Sequence, residues 1–147
     1  MITMENKTTD FATSVRKKFE SQGYTKLLGF NVTSISDGEV EIELHLNKSH
    51  MQHHGSAHGG LIASMADTVA GFAAISVVPE DHYVVTAEIK VSYFSPGIGD
   101  KLVAKGYVIK RGRKLNFCEA EIYAVKGDED PKLIAKASAT MATITPK

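Results

Sequence analysis

The residues best placed to do chemistry are two glycines and a carboxylate, spread over the start and middle of one apolar stretch. Gly59 and Gly60 end a segment, His50 to Gly60, that holds four histidines and three glycines without any period. It reads as a loop leading into a helix. Asp67 follows eight positions after Gly59, in Met65-Ala66-Asp67-Thr68-Val69. A helix N-terminus presents unpaired N–H groups and a partial positive charge. Glycines there leave no side chain between the backbone and a ligand. N–H groups so placed stabilise the charge that develops on a carbonyl oxygen under attack, and one aimed donor is worth about 3 kcal/mol. A carboxylate inside an apolar helix is costly unless it is partnered or used. Beside a polarised carbonyl it can serve as a base on water or attack directly. Each feature also has a plain structural reading: glycines permit a tight turn into a helix, and Asp67 could face a solvent channel or cap a neighbouring backbone group.

The spacing adds a constraint. Eight residues of helix rise about 12 Å, so a carbonyl held at Gly59 lies beyond the reach of Asp67 on the same helix. The two groups can meet at one carbon only if a second copy of the helix runs antiparallel beside the first, an arrangement that two-fold symmetry supplies along with two equal sites. Ala63, Ala66, Ala70 and Gly71 are small enough for close helix approach, and equally suited to packing on the subunit's own sheet.

The elements that must position these groups follow from periodicity. Asp10 is a candidate cap for a helix over Phe11 to Gln22, with Phe11, Val15 and Phe19 on one stripe and Gly23 as its stop. Asn31 to Ser36 and Glu39 to Leu46 flank Asp37-Gly38, a pair suited to a tight hairpin turn. In the second arm Val40, Ile42, Leu44 and Leu46 alternate with Glu39, Glu41, Glu43 and His45. From Gly60 to about Val77, Ile62, Met65, Val69, Phe72 and Ser76 trace a helical stripe, and Pro79 closes it. The remainder is strand: Tyr83 to Phe94, with Ala87, Ile89, Val91 and Tyr93 on one face, then Leu102 to Lys110, Leu115 to Val125 and Leu133 to Ile144. The expected class is α+β, with about six antiparallel strands against one long central helix. Residues 1–10 are expected to be a flexible tail and 11–147 one domain.

Composition excludes several classes. Hydrophobic residues make up 43% of the 147, enough to fold by burial. Seventeen basic residues balance seventeen acidic ones, which argues against a broad surface for nucleic acid or anionic membrane. The lone Cys118 can form no internal disulfide, Met1 to Asp10 lacks an apolar signal core, and Leu61 to Pro79 is interrupted by Asp67 and small polar residues. The expectation is a cytoplasmic protein that does not span a membrane. Cys118, between Phe117 and Glu119 in a strand, reads as a buried structural thiol. His50, His54 and His58 share four-residue spacings, but the glycines disfavour helix and no neighbouring cysteine or carboxylate completes a ligand set, so no metal is expected.

The run Gln52-His53-His54-Gly55-Ser56-Ala57-His58-Gly59-Gly60, followed by Asp67 and by Thr86-Ala87-Glu88-Ile89-Lys90-Val91-Ser92-Tyr93-Phe94-Ser95-Pro96, resembles the hotdog-fold acyl-CoA thioesterases of the phenylacetate-pathway (PaaI-like) branch. In that branch an amide side chain precedes Gly-x-x-His-Gly-Gly, and a carboxylate follows on the helix. The resemblance covers roughly residues 24 to 145. It departs from the common pairings of Asn with Asp or Gln with Glu, since here Gln52 accompanies Asp67.

The resemblance implies a sheet wrapped around a central helix and hydrolysis of an acyl-CoA thioester to free acid and CoA. Asp67 and Gly59 are the reacting and polarising groups, on opposite sides of a homodimer interface. Gln52 approaches the Asp67 side to position water or thioester. His58 supports the loop by bonding Gln52 or backbone. Thr86 falls where relatives carry a hydroxyl near the site, to bond the water or Asp67. Gly60 borders the substrate, and Arg111, Gly112, Arg113 and Lys114 form the basic turn expected to meet the CoA phosphates. A solvated charged turn is the equal alternative for that patch. No separate cofactor is implied, CoA being part of the substrate. Whether dimers pair into tetramers stays open, as does the acyl group. The rival within the same fold is a domain that binds acyl-CoA without turning it over. A dehydratase fits less well for want of a His–Asp pair on the helix.

Overall fold

Helix α1 (Met4–Glu20) and the short helix α2 (Gly23–Leu28) precede a hairpin of β1 (Asn31–Ser36) and β2 (Glu39–His45). A loop with one 3-10 turn at Lys48–His50 leads into the long helix α3 (Gly59–Ile75). Strands β3 (Tyr83–Tyr93), β4 (Lys101–Lys110), β5 (Leu115–Val125) and β6 (Lys132–Ile144) complete the chain. This computed structural model describes the backbone of residues 4–147 and the side chains of residues 10–147. Of the tail expected over 1–10, residues 1–3 lie outside the described residues and the backbone of 4–10 belongs to α1. Asp10 falls inside α1 rather than capping it, and Gly23 opens α2 rather than merely ending α1.

The six strands form one antiparallel sheet in the order β1-β2-β4-β5-β6-β3. Strand β3 lies beyond β6 and leaves an edge of 11 residues. The fold class is α+β, as the periodicity indicates. Val40, Ile42 and Leu44 of β2 turn inward while Glu39, Glu41 and Glu43 line the outer face. Helix α3 covers the inner face through Ile62, Met65, Ala66, Val69, Phe72 and Ala73. Ala66 and Ala70 are fully buried in the chain's own core. Their smallness serves the sheet, and of the four small residues only Ala63 and Gly71 remain part-exposed. Among the described residues no helix is long and apolar enough to cross a membrane. Cys118 is buried, which pushes its thiol up to about 11 and removes it from thiolate chemistry.

One contact sets the depth of α3. A Cβ on Gly106 of β4 would stand 2.4 Å from the carbonyl carbon and oxygen of Val69. The helix backbone rests on the strand at that point, and only glycine admits it. Gly106→Ala is expected to destabilise the protein by about 3 kcal/mol through overpacking, lowering Tm by roughly 6–12 °C at fixed protein concentration. Gly23→Ala, where a Cβ meets nothing within 4 Å, is the control that should leave Tm nearly unchanged in the same melting experiment.

Candidate active site

The loop before α3 is tied down at successive residues. Gln52 N–H donates to Ser56 O (2.9 Å), and Gly55 N–H donates back to Gln52 O (3.1 Å), with Gly55 at φ 85. Ala57 N–H reaches Gly97 O (2.8 Å), and His58 N–H reaches His50 O (2.9 Å). His50 is itself buried and held through both ring nitrogens: Nδ1 accepts from Asn47 N–H (3.0 Å), and Nε2 lies 2.7 Å from Leu28 O. These ties make the loop a rigid entry to the helix, and they give the buried His50 a structural role. Among the described residues no group of three or more His, Cys, Asp or Glu is placed to hold a metal.

His58 is the N-cap of α3. Its Nδ1 accepts from Gly60 N–H (2.9 Å), and its carbonyl accepts from the N–H groups of Leu61 and Ile62 (3.0 and 3.2 Å). Of the two bonding partners expected for His58, backbone is the one found. Of the first four N–H groups of the helix, three are thereby satisfied. The fourth, on Gly59, has no partner among the described residues, and Gly59 is solvent-exposed. A donor on a helix N-terminus with nothing to donate to is the arrangement that receives an anionic oxygen.

Asp67 lies on the one part-exposed stripe of an otherwise buried helix, together with Ala63, Ser64, Thr68, Gly71 and Ile75. Steps of three and four residues place these side chains on a common face. The carboxylate therefore sits outside the packed core, on a part-exposed side of α3 that faces the β3 edge of the sheet. Thr86 Oγ1 donates to Asp67 Oδ1 at 2.6 Å. That bond fixes the rotation of the carboxylate and leaves Oδ2 as its open oxygen.

The Thr86–Asp67 bond depends on a break in strand periodicity. Ile89 and Val91 of β3 pack toward the core, so strict alternation sends Thr86 to the opposite face. The register between β3 and β6 shifts between Thr86 and Glu88, where Thr86 pairs with Met141 and Glu88 pairs with the adjacent Thr140. The extra residue, Ala87, is a β-bulge that returns Thr86 to the helix side. It also brings Oγ1 within 3.5 Å of the sulfur of Met141.

The remaining expected site residues are dispersed. Gln52 Nε2 donates to Ser56 Oγ (2.6 Å), so within the chain its amide is held by the loop rather than by Asp67. Arg111 is ion-paired with Asp37 of the β1–β2 turn. Gly112 N–H donates to Asn116 Oδ1 (3.3 Å), and a Cβ there would stand 2.2 Å from Leu115 O. Gly112 thus serves the β4–β5 turn, and Arg113 and Lys114 are its exposed basic groups. Two groups near the site escaped the sequence reading. Ser56 is buried and orients Gln52. Tyr93 donates its hydroxyl to the Gly59 carbonyl at 2.7 Å. Ser56 carries no sequence signal apart from lying in the loop, but Tyr93 shares a strand face with Ile89 and Val91, which directs it toward α3.

The thioesterase superfamily profile matches residues 54–130, the stretch that runs from the loop through β5. A thioesterase family protein from Silicibacter pomeroyi has 30% sequence identity and superposes with a TM-score of 0.89 over 92% of this chain and 99% of its own. Human acyl-coenzyme A thioesterase 13 is 24% identical over 110 residues, 74% of this chain and 78% of that protein. The E. coli PaaI protein of the phenylacetic acid degradation operon, at 22% identity, shares the fold with a TM-score of 0.84 over 95% of this chain and 97% of its own. The chain belongs to the hotdog-fold thioesterase superfamily, and the reaction of that family is thioester hydrolysis.

Proposed function

We propose that the protein hydrolyses acyl-CoA thioesters to free acid and CoA in a homodimer, with Gly59 of one protomer and Asp67 of the other acting on the same carbonyl. The observation that carries this reading is the pair left open on α3: an unpartnered N–H at the helix start and a Thr86-oriented carboxylate on the outward stripe. The N–H of Gly59 receives the thioester oxygen as charge builds on it. Asp67 Oδ2 takes a proton from water as the water oxygen attacks the carbonyl carbon, or attacks that carbon itself to give an anhydride that water then opens. In either course the C–S bond breaks as the tetrahedral intermediate collapses: in the first the sulfur leaves with the proton that Asp67 took, and in the second CoA leaves as the thiolate, which takes a proton from solvent, before water opens the anhydride. Gln52, on its Ser56-anchored loop, positions the water or the thioester, and Gly60 borders the bound acyl group.

The open edge of β3 supports the dimer. Eleven residues of unpaired strand edge invite pairing with a second copy, and Tyr83, Val85 and Tyr93 on it are large and exposed. Antiparallel pairing of two β3 edges about a two-fold axis carries the outward stripes of the two α3 helices toward each other. Gly71, where an added Cβ would meet nothing within 4 Å, leaves room for that approach. Arg113 and Lys114, with Arg111 behind them on Asp37, offer the positive turn for the CoA phosphates. The balanced overall charge favours neither nucleic acid nor membrane as a partner.

Following free thiol release over a panel of aryl, short-chain and medium-chain acyl-CoAs tests the reading. Turnover of at least one class supports it. Tight binding of CoA esters with no thiol released from any of them would replace it with a binding module. Thr86→Val, which keeps the branched shape and removes the donor, is expected to lower kcat about tenfold. Thr86→Ser should recover most of that loss in the same assay.

A further inference from the structure

The peptide between Gly59 and Gly60 is held at both ends. Its carbonyl accepts from Tyr93 Oη at 2.7 Å, and its N–H donates to His58 Nδ1 at 2.9 Å. A tyrosine hydroxyl, a peptide and an imidazole thus form one hydrogen-bonded chain across the start of α3. The Tyr93 ring flanks the same residue, with a ring carbon and Oη 3.7 Å from where a Gly59 Cβ would stand. Tyr93 is the last residue of β3 and is 50% exposed, so burial in the core does not account for its placement. Partial burial of the hydroxyl holds its pKa above the ordinary tyrosine value, which keeps it a donor. Two consecutive glycines have the widest backbone freedom of any dipeptide. Without restraint, the first turn would sample orientations in which the neighbouring Gly59 N–H points away from a bound carbonyl.

We infer that Tyr93 is a positioning residue for thioester hydrolysis: its hydroxyl, working with His58 at the other end of the same peptide, locks the first turn of α3 so that the Gly59 N–H stays aimed at the substrate oxygen. The inference rests on the assignment of Gly59 and Asp67 given above. Tyr93 need not touch the reacting atoms. It acts through the backbone, and its contribution belongs to kcat because alignment matters most when charge develops on the oxygen.

The test compares wild type, Asp67→Asn and Tyr93→Phe in thiol release, with melting temperature and oligomeric state recorded for each. Tyr93→Phe keeps the ring and loses the donor. It is expected to lower kcat about tenfold with KM within about twofold of wild type. A second variant carries 3,5-difluorotyrosine at position 93, which keeps the shape but makes the phenol acidic enough to ionise near neutral pH. Its kcat should fall as that hydroxyl loses its proton, a limb absent from the wild-type profile. A folded Tyr93→Phe dimer with wild-type kcat, a loss confined to KM, or a difluorotyrosine profile identical to wild type overturns the role of Tyr93. If instead Asp67→Asn hydrolyses as fast as wild type, the underlying assignment falls, whatever Tyr93→Phe does.

Discussion

Asp67→Asn is expected to lower kcat by about a thousandfold while leaving CoA-ester binding within about twofold of wild type. The substitution is narrow. Asparagine keeps an oxygen for the Thr86 hydroxyl to donate to, so the 2.6 Å bond that orients the side chain can persist. The position lies on the outward stripe of α3, away from the packed face of Met65, Ala66 and Val69, so the core is not asked to repack. What disappears is the second carboxylate oxygen and its capacity to take a proton or to attack carbon. The amide put in its place does neither at neutral pH. A thousandfold is about 4 kcal/mol of transition-state stabilisation, within the range for a lost general base. Steady-state kinetics paired with calorimetric titration of a non-hydrolysable CoA thioether separates the two effects. Full activity in the variant would show that the carboxylate is a structural feature of the helix. A parallel loss of binding would show that Asp67 holds the substrate rather than transforming it.

The strands and the central helix are legible in the sequence because their burial is periodic. In β2 the alternation of Val40, Ile42 and Leu44 with glutamates states both the element and its inner face. In α3 the stripe through Ile62, Met65, Val69 and Phe72 does the same at helical spacing. The Gly59-Gly60 start of α3 is legible as well, since paired glycines after an aperiodic loop and before a helical stripe are a local signal, whereas the capping of that start by the His58 ring emerges only in the structure. What stays hidden is whatever depends on residues distant in the chain. The bulge at Ala87 reverses the face of Thr86, and nothing local to Val85-Thr86-Ala87-Glu88 requires it, because the register is set by pairing with β6. The burden on Gly106 comes from helix backbone more than 30 positions earlier. Arg111 reads as a free cation for phosphate, yet a carboxylate more than 70 positions earlier, Asp37, engages it. At Gly23 the local signal points two ways: a residue that stops one helix can equally open the next, and α2 follows after only two residues.

Mixing two inactive variants is expected to restore about a quarter of wild-type activity if each site draws Gly59 and Asp67 from different protomers. The first partner is Asp67→Asn. The second is Gly59→Pro, for which the local geometry is favourable. Gly59 is the first residue of α3, the helical position that best tolerates proline. The preceding His58 already has φ −62 and ψ 135, the extended conformation that a following proline demands. The carbonyl of residue 59 remains available to Tyr93. Proline therefore removes the unpartnered N–H with little disturbance to the fold, and alone should lower kcat by about a hundredfold to a thousandfold. Random reassociation of equal amounts makes half the dimers mixed. In each mixed dimer one site combines both defects, and the other combines an intact Gly59 with an intact Asp67. Half the dimers with one working site of two gives a quarter of full activity. If instead both groups of a site came from one chain, every site would carry one defect and the mixture would stay as inactive as its parents. Unfolding and refolding the variants together, then comparing thiol release with that of each variant refolded alone, reads the difference directly. The size of the recovery also reports on how the two helices run, because about 12 Å of helix separates the two groups along one protomer and only a second helix running the other way removes the gap.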